Sequence, residues 1–415
     1  MGMLRAALDD EAGTAALLAE WPASQAAMPN GELFFLDPSF LAAAAQEAAL
    51  EPDLTSALIA AARRIAGKPL GRALVWHVYH RLFRAPRYSA AEVRTWPVPT
   101  ALIGDDAGLL YLLALLGALP EARTLHRAHG VPGSVVRDTL HDLQRWAAHY
   151  RRHRGTWGVA PAQLPWFRLH MRGELYDLGR LQFQPDRWRV AARAYRHRIS
   201  GAVTAMSEDG VRYTAAGMRA ESGETDLDRT WIARLHSGPR WVIGHRITPM
   251  GAARKELTRL ARADWAAALV PGDPVLQLHV PRGTPLDLEA CRRALEAAPR
   301  FFATCFPEWR FVAFACQSWL LDPRLDALLA PTTNLVRFQR QMYLVPLAGN
   351  QEDALEWVFD GQQADLGRAP RDTSLRRAVL NHLEAGGELG GGGCFLFPED
   401  QPAWGTDVYR RSYVA

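Results

Sequence analysis

Two apolar segments that flank one long amphipathic helix constrain the fold of this 415-residue chain most strongly. The first, "VLQLHV" (275–280), leads through the turn "PRGTP" into the helical pattern "LDLEACRRALEAAPRFFATCF" (286–306). The second, "WRFVAFACQSWLL" (309–321), follows that helix directly. A strand, a helix and a strand in this order favour parallel or near-adjacent pairing in one sheet. The sequence therefore predicts an α/β domain built around this unit.

Shorter segments on both sides extend this domain. The stretch 165–188 has two short runs separated by Gly179, and the segments 188–197 and 210–219 have the turn-punctuated pattern of strands. The segment "PMGAARKELTRLARADWAAAL" (249–269) has the pattern of an amphipathic helix. After the central unit, we expect a helix near 323–330, a strand over 340–347 and a helix over 373–387.

The first part of the chain is predicted to be a helical bundle. Ala- and Leu-rich segments bounded by Pro, Gly and Asp occupy 38–50, 53–67, 70–83 and 106–119. The segment 131–155 is predicted to be one further helix, with Pro132 near its start and Gly155 just after its end. We therefore expect a helical N-terminal domain over 1–155 and a mixed α/β (α+β) domain over 156–415.

Composition limits the functional classes. A formal charge of +4 is compatible with nucleic-acid binding but is too small to predict it. Because no run of about twenty apolar residues and no signal-peptide pattern is seen, we expect a cytoplasmic protein that uses no membrane. The four cysteines are scattered and no metal-ligand spacing occurs, so neither a disulfide framework nor a metal site is expected. The chain also has no P-loop and no Gly-x-Ser-x-Gly motif.

The turn after the first apolar segment allows two interpretations. Gly283 would let a ligand approach the backbone and Arg282 would add positive charge, as in a phosphate site at a helix start. Alternatively, Thr284 is a good N-cap, Pro285 suits the first helical position and Asp287 completes the cap. The turn by itself leaves both interpretations open.

Several longer segments resemble a bacterial family of two-domain N-acyltransferases. The resemblance is carried by "FRLHMRGELYDLGRLQFQ", "GDPVLQLHVPRGTPL", "RFFATCFPEWRFVAFACQSWLLDP" and "TTNLVRFQRQMYLV". In that family a helical N-terminal domain precedes a domain similar to the GNAT acyltransferases. The resemblance implies a GNAT-like mixed-sheet acyltransferase domain that takes an acyl group from acyl-CoA and transfers it to an amine by direct attack.

The resemblance also implies where the acyl-CoA would bind. In the GNAT fold the two central strands diverge, the thioester enters the gap, and the pyrophosphate lies at the start of the following helix. Mapped onto this chain, the binding residues would be Val280, Arg282, Gly283 and Thr284. The usual signature has two glycines where "VPRGTP" supplies one.

The alternation of side chains along the two strands indicates which residues could take part in catalysis. Gln277 and His279 share one face of the first strand, so His279 could be the base and Gln277 could contact substrate. Cys316 and Ser318 share a face of the second strand and could donate to the leaving sulfur; Cys316 could also be a nucleophile. The alternatives are a hydrogen-bonded core histidine and a buried cysteine that only fills space.

Further polar residues could bind the acceptor, which we expect to be an amine of a small molecule or a peptide. These are Arg172, Asn334 and Arg337, although Arg172 could instead pair with Glu174 across a strand. Two basic segments, 145–158 and 187–198, contain aromatic residues and would suit an RNA backbone. Two alternative functions therefore stay open: an aminoacyltransferase that uses aminoacyl-tRNA as the donor, and a degenerate, non-catalytic ligand-binding protein.

Overall fold

The computed structural model describes residues 11–220, 230–349, 351–359 and 366–413. The chain forms two compact units: one comprises 1–182 together with 281–283, and the other comprises 183–280 together with 284–415. The domain boundary expected between residues 155 and 156 stays a prediction.

The first unit is helical. Its helices are α1 (Glu11–Leu18), α2 (Trp21–Ala26), α3 (Pro38–Glu47), α4 (Pro52–Ala66), α5 (Pro69–Phe83), α6 (Ala90–Arg94), α7 (Thr100–Ile103), α8 (Ala107–Leu116), α9 (Leu119–Ala128), α10 (Gly133–Leu140), α11 (Asp142–Arg154) and α12 (Leu164–Met171). Short 3-10 turns lie at Phe34–Leu36, Gly104–Asp106 and Pro161–Gln163, and strand β1 is Tyr176–Asp177.

Helix α8 is the centre of this unit's core, because every one of its residues is buried. The stretch Thr100–Ala128 is long and apolar enough to cross a membrane by length and composition, yet 78% of its apolar window is buried. That burial is typical of a core helix in a globular protein. Proline starts several of the helices: α3 begins at Pro38, and the Asp37 carboxylate accepts hydrogen bonds from Ser39 N–H and Phe40 N–H.

The helix expected over 131–155 is two helices, α10 and α11, which meet at His141. Pro132 is the N-cap of α10 and Gly155, at φ 76°, ends α11 in the left-handed conformation. The prediction was right about both ends and wrong about continuity, because nothing in the apolar spacing marks the break at His141.

The second unit contains most of the strands. They are β2 (Gln182–Arg187), β3 (Ala192–His197), β4 (Val203–Ser207), β5 (Arg212–Thr214), β6 (Thr230–Ile232), β7 (Leu235–Ser237), β8 (Trp241–Ile247), β9 (Ala253–Ala261), β10 (Trp265–Leu269), β11 (Pro274–His279), β12 (Ala313–Ser318), β13 (Tyr343–Leu347) and β14 (Gly391–Leu396). Its helices are α13 (Leu288–Cys305), α14 (Leu325–Leu328), α15 (Asn334–Arg340), α16 (Gln351–Val358), α17 (Ser374–Glu384) and α18 (Val408–Arg411), and 3-10 turns lie at Trp319–Leu321 and Pro398–Ala403.

Two main sheets organise these strands. In the first, the neighbours run β2, β11, β12, β14, β13; the pair β11–β12 is parallel, whereas β12–β14 and β13–β14 are antiparallel. In the second, the order is β10, β3, β4, β8, β7, with β9 also paired to β8. The hydroxyl of Tyr343 in β13 joins the two sheets, since it donates to Ile247 O and accepts from Ala205 N–H. The expected strand–helix–strand unit and the α/β fold class are confirmed.

One large segment was predicted wrongly. The residues 249–269 form β9 and β10, not an amphipathic helix. Strand β9 pairs with β8 along nearly its whole length, and β10 pairs with β3. Ala, Arg and Lys favour helices locally, but the hydrogen bonds to neighbouring strands decide the conformation here.

Candidate functional site

The two central strands separate before they end. Strands β11 and β12 are paired at Val275–Ala313, Leu276–Phe314 and Gln277–Ala315. Among the residues the structure describes, the ladder stops there, although β11 continues to His279 and β12 to Ser318. Strand β12 meanwhile stays paired to β14 as far as Ser318–Gly392. The outer ends of β11 (278–279) and β12 (316–318) are therefore not paired with each other, and we call this unpaired stretch the strand gap.

The pairing register decides which side chains share a face beside the strand gap. Residues paired across two strands point to the same side, and the side alternates along each strand. Because Gln277 pairs with Ala315, His279 lies on the same face as Gln317. Cys316 and Ser318 lie on the opposite face, together with Leu278. The predicted catalytic residues are thus divided between the two faces of the sheet.

His279 is held by its neighbour on β2. Its Nε2–H donates to Gln184 Oε1 at 3.2 Å, so the basic lone pair of the neutral ring is on Nδ1. His279 is half-buried at the end of β11, whereas Gln277 beside it is buried. A neutral imidazole at the edge of a gap can take a proton from an attacking amine. This placement suits His279 for the role of a base.

The sequence analysis did not identify two glutamines that lie near His279. Gln184 orients His279, and Gln317 is exposed on β12 on the same face. The segment "LQFQ" (181–184) carries a usable signal, because its alternation already puts Gln182 and Gln184 on one side of a strand. Gln317 could be found only from the register of β11 against β12.

The environment of Cys316 favours packing over nucleophilic chemistry. The residue is 3% exposed and lies directly opposite Cys394 of β14. Burial raises the pKa of the Cys316 thiol to about 12, so little thiolate forms at neutral pH. The neighbouring Ser318 hydroxyl accepts the Leu320 N–H at 3.3 Å and thereby caps a 3-10 turn.

The loop 280–287 contains the predicted pyrophosphate-binding residues. Gly283 has φ +100°, a conformation that side chains other than glycine rarely adopt, and open space surrounds it. Thr284 is exposed and is not the helix cap, which corrects one of the two interpretations of this turn. Helix α13 begins at Leu288, and the Asp287 carboxylate accepts Ala290 N–H at 2.8 Å. The carboxylate therefore occupies part of the helix start that an anion would use.

Val280 and Arg282 lie at the beginning of the same loop. Both are half-buried, and the guanidinium of Arg282 lies 5.7 Å from the centre of the Trp146 ring. A guanidinium held by an aromatic ring keeps its charge and can still bind phosphate. Arg282 is accordingly the residue of this loop best suited to an anionic ligand.

The predicted acceptor-binding residues are dispersed. Arg172 is exposed and donates to Glu174 at 2.7 Å, within the turn that follows α12 rather than across a strand. Asn334 and Arg337 lie on the exposed surface of α15. No group of three or more potential metal-ligating side chains occurs in the described parts of the chain.

Comparisons with known proteins identify the family. Residues 39–173 match the model of the N-acyltransferase N-terminal domain, and residues 175–396 match that of the GNAT-like C-terminal domain. No curated protein matches the chain.

Solved structures with the same fold are all described as acyltransferases. One is an acyltransferase mutant in complex with octanoyl-CoA, at 24% identity and a TM-score of 0.65. Two others are acyltransferases in complex with decanoyl-CoA and teicoplanin, and with CoA and 10C-Teicoplanin, at 24% identity and TM-scores of 0.63 and 0.65. Each alignment covers 95% of this chain and 98% of the other chain. The chain belongs to the family of two-domain N-acyltransferases, in which an N-acyltransferase N-terminal domain precedes a GNAT-like C-terminal domain.

Proposed function

We propose that this protein transfers the acyl group of an acyl-CoA to an amine of a small molecule or a peptide by direct attack. The observation that carries the proposal is the strand gap, because the β11–β12 ladder ends before His279. Because its end is not paired to β12, β11 would offer the thioester arm an edge with free backbone hydrogen-bonding groups. The acyl-CoA complexes of proteins with the same fold support this choice of donor.

The reaction requires a base for the amine, hydrogen-bond donors for the carbonyl oxygen and a proton for the leaving thiolate. The amine loses its proton to His279 as the C–N bond forms, and the C–S bond then breaks to release the thiolate of coenzyme A, which takes up a proton. Side-chain N–H groups of Gln277 and Gln317 lie on the same face as His279 and would stabilise the negative charge on the carbonyl oxygen. The reaction needs no nucleophile from the protein, which agrees with the burial of Cys316.

We further propose a medium-length acyl chain. Octanoyl-CoA and decanoyl-CoA are the acyl donors present in the related complexes. Two of the related structures also contain teicoplanin or 10C-Teicoplanin, so an amine on a larger, peptide-like molecule is the first acceptor class that we propose to test here.

The test is a transfer assay on the full chain. Octanoyl-CoA, decanoyl-CoA and acetyl-CoA are each offered with a panel of amines that includes teicoplanin, while thiol release and the mass of the acceptor are followed. We expect acceptor-dependent thiol release that is faster with the two longer donors. His279→Gln should lower kcat by about 100-fold or more, because glutamine cannot take the proton.

Ser318→Ala is the matched control. Its side chain lies on the other face of the sheet, so the variant should keep transfer activity near that of the wild type. Tight binding of acyl-CoA without turnover for any amine would instead support a non-catalytic binding protein. Transfer from aminoacylated tRNA, with binding that weakens as salt rises, would replace acyl-CoA as the donor.

A further inference from the structure

Helix α11 carries aromatic and basic side chains along one side. Trp146, His149, Arg152 and His153 follow one another at spacings of three and four residues, which place them on one side of a helix. The Trp146 and His149 rings lie 5.7 Å apart, and the His149 and His153 rings lie 4.4 Å apart. Trp146 and His149 are half-buried, whereas Arg152 and His153 are exposed. We call these four residues the α11 face.

The loop that follows β11 supplies a cation at one end of the α11 face. Residues 281–283 of this loop group with the helical unit, and the guanidinium of Arg282 lies 5.7 Å from the centre of the Trp146 ring. Arg180 donates to Pro281 O at 3.2 Å, which holds the same loop in place. A guanidinium fixed in this way presents its donors in the geometry that a phosphate accepts.

Arg152 supplies a cation at the other end of the α11 face. Arg145 pairs with Asp177 at 3.0 Å and Arg151 pairs with Asp53 at 3.8 Å, so both of these charges are compensated. No ion pair of Arg152 occurs within the described part of the chain. Its exposed guanidinium is therefore available to an anion from solution.

The arrangement of these groups suits a nucleotide that has phosphates on both sides of its ribose. Six residues separate Trp146 from Arg152, which is a rise of about 9 Å along the helix. Arginine side chains at the two ends can reach inwards from that separation. The exposed ring of His153 offers a base a surface for stacking.

We propose that the α11 face and Arg282 bind the nucleotide end of acyl-CoA, which carries a phosphate on the 3′ position of its ribose. The inference rests on the proposed function, because it assigns a site to the part of the donor that takes no part in the reaction. Arg282 pairs with the pyrophosphate, the adenine stacks on His153, and Arg152 pairs with the 3′-phosphate. The helical unit thereby contributes to the choice of donor.

An RNA backbone is the competing ligand for this basic segment. RNA carries a phosphate for every nucleotide, and proteins hold it with a longer run of cations along a groove. On the α11 face the compensated charges of Arg145 and Arg151 leave Arg152 and Arg282 for phosphate. Two cations beside a stacking ring favour a single nucleotide over a chain.

Calorimetric titration of the full chain with CoA and with dephospho-CoA tests the inference. The two ligands differ only in the 3′-phosphate. We expect CoA to bind about 10-fold or more tightly, which is the usual contribution of hydrogen bonds between charged groups. Equal binding of the two ligands would overturn the inference even if the protein transfers acyl groups. Binding of neither ligand would overturn it together with the proposed function.

Two arginine variants locate the 3′-phosphate. Arg152→Ala should lower the affinity for CoA to that for dephospho-CoA and leave the affinity for dephospho-CoA unchanged. Arg154→Ala is the matched control, because Arg154 is also exposed in the last turn of α11 but lies on roughly the opposite side of the helix. The control should bind both ligands like the wild type. Equal losses of CoA affinity in the two variants, or an unchanged preference in Arg152→Ala, would contradict the inference.

His153→Ala tests the position of the adenine. It should weaken the binding of CoA and of dephospho-CoA by the same factor, about 5-fold or more, because both ligands lose the stacking surface. The preference for CoA should remain. Unchanged affinity for both ligands would show that the adenine lies elsewhere, contrary to the inference.

Two further outcomes separate this inference from its alternatives. A short single-stranded RNA that binds more tightly than CoA, and that loses affinity in Arg152→Ala, would make the α11 face an RNA site and overturn the inference. Binding of CoA that depends on Arg152 in a protein without acyl transfer would support the inference and reject only the proposed function.

Discussion

His279 and Gln184 lie on neighbouring strands, and the His279 Nε2–H donates to Gln184 Oε1 at 3.2 Å. This hydrogen bond orients the imidazole at the edge of the strand gap and places its basic lone pair on Nδ1. Gln184 is thus a positioning residue, and its substitution should change the behaviour of His279 without removing the base.

Gln184→Leu should lower kcat for acyl transfer by roughly 10-fold, because the imidazole loses its fixed orientation. The KM for acyl-CoA should change little. Gln184→Glu should move the acid limb of the pH–rate profile to higher pH, since a carboxylate beside His279 raises the pKa of the imidazole. An unchanged profile in Gln184→Glu would show that His279 is not the group whose titration controls the rate.

Cys316→Ala should retain most of the transfer activity, because the thiol lies on the face opposite His279 and its pKa is raised to about 12 by burial. The steady-state rates of acyl transfer by Cys316→Ala and by His279→Gln, measured side by side, test this expectation. The native protein should also resist thiol-modifying reagents until it unfolds, as followed by intact mass. A loss of activity in Cys316→Ala as large as in His279→Gln would contradict this assignment.

Asp287→Ala should lower the free energy of unfolding by about 1 kcal/mol, because the N-cap of α13 is lost. Asp287→Asn should lose less, since asparagine is also a good cap. Denaturant melts of the two variants measure the difference. Equal losses in both variants would mean that charge, not capping, is what Asp287 contributes.

Acid should destabilise the helical unit through His77. Burial lowers the pKa of this residue to about 4, and its ring is held by Ser24 Oγ and Leu17 O. Because the unfolded chain takes up a proton near the ordinary histidine pKa of 6.5, stability should fall as pH drops from 6.5 towards 4. The loss from this residue is on the order of 3 kcal/mol.

Chemical denaturation at several pH values measures this loss. His77→Gln should be less stable than the wild type at pH 7 and should show a weaker dependence on pH in that window. Some dependence should persist, because burial also lowers the pKa of His80 and of His126. A pH dependence identical to that of the wild type would show that His77 does not titrate in this way.

Much of the fold could be predicted from local patterns. Strands β11 and β12 and the helix between them follow from apolar runs around an amphipathic segment, and most of the predicted helices before residue 155 follow from their Pro, Gly and Asp boundaries. The helix predicted over 249–269 was wrong because the helix-favouring composition of this segment competes with strand pairing, which only the folded chain provides.

The site was predictable only in part. Alternation along β11 correctly put Gln277 and His279 on one face, which is a local property of a strand. The position of Cys316 and Ser318 on the other face depends on how β12 is registered against β11, and a shift of one residue would reverse it. The contact between Gln184 and His279 likewise joins residues far apart in the sequence, so no local pattern could pair them.

The most direct test of the account is a crystal structure of this protein with a non-hydrolysable thioether analogue of decanoyl-CoA. We predict that the thioether lies in the strand gap, against the edge of β11 and on the side of His279, with β11 and β12 paired only as far as Gln277 and Ala315. If the analogue lies elsewhere, or if β11 and β12 are paired along their whole length, the proposed transfer site is wrong.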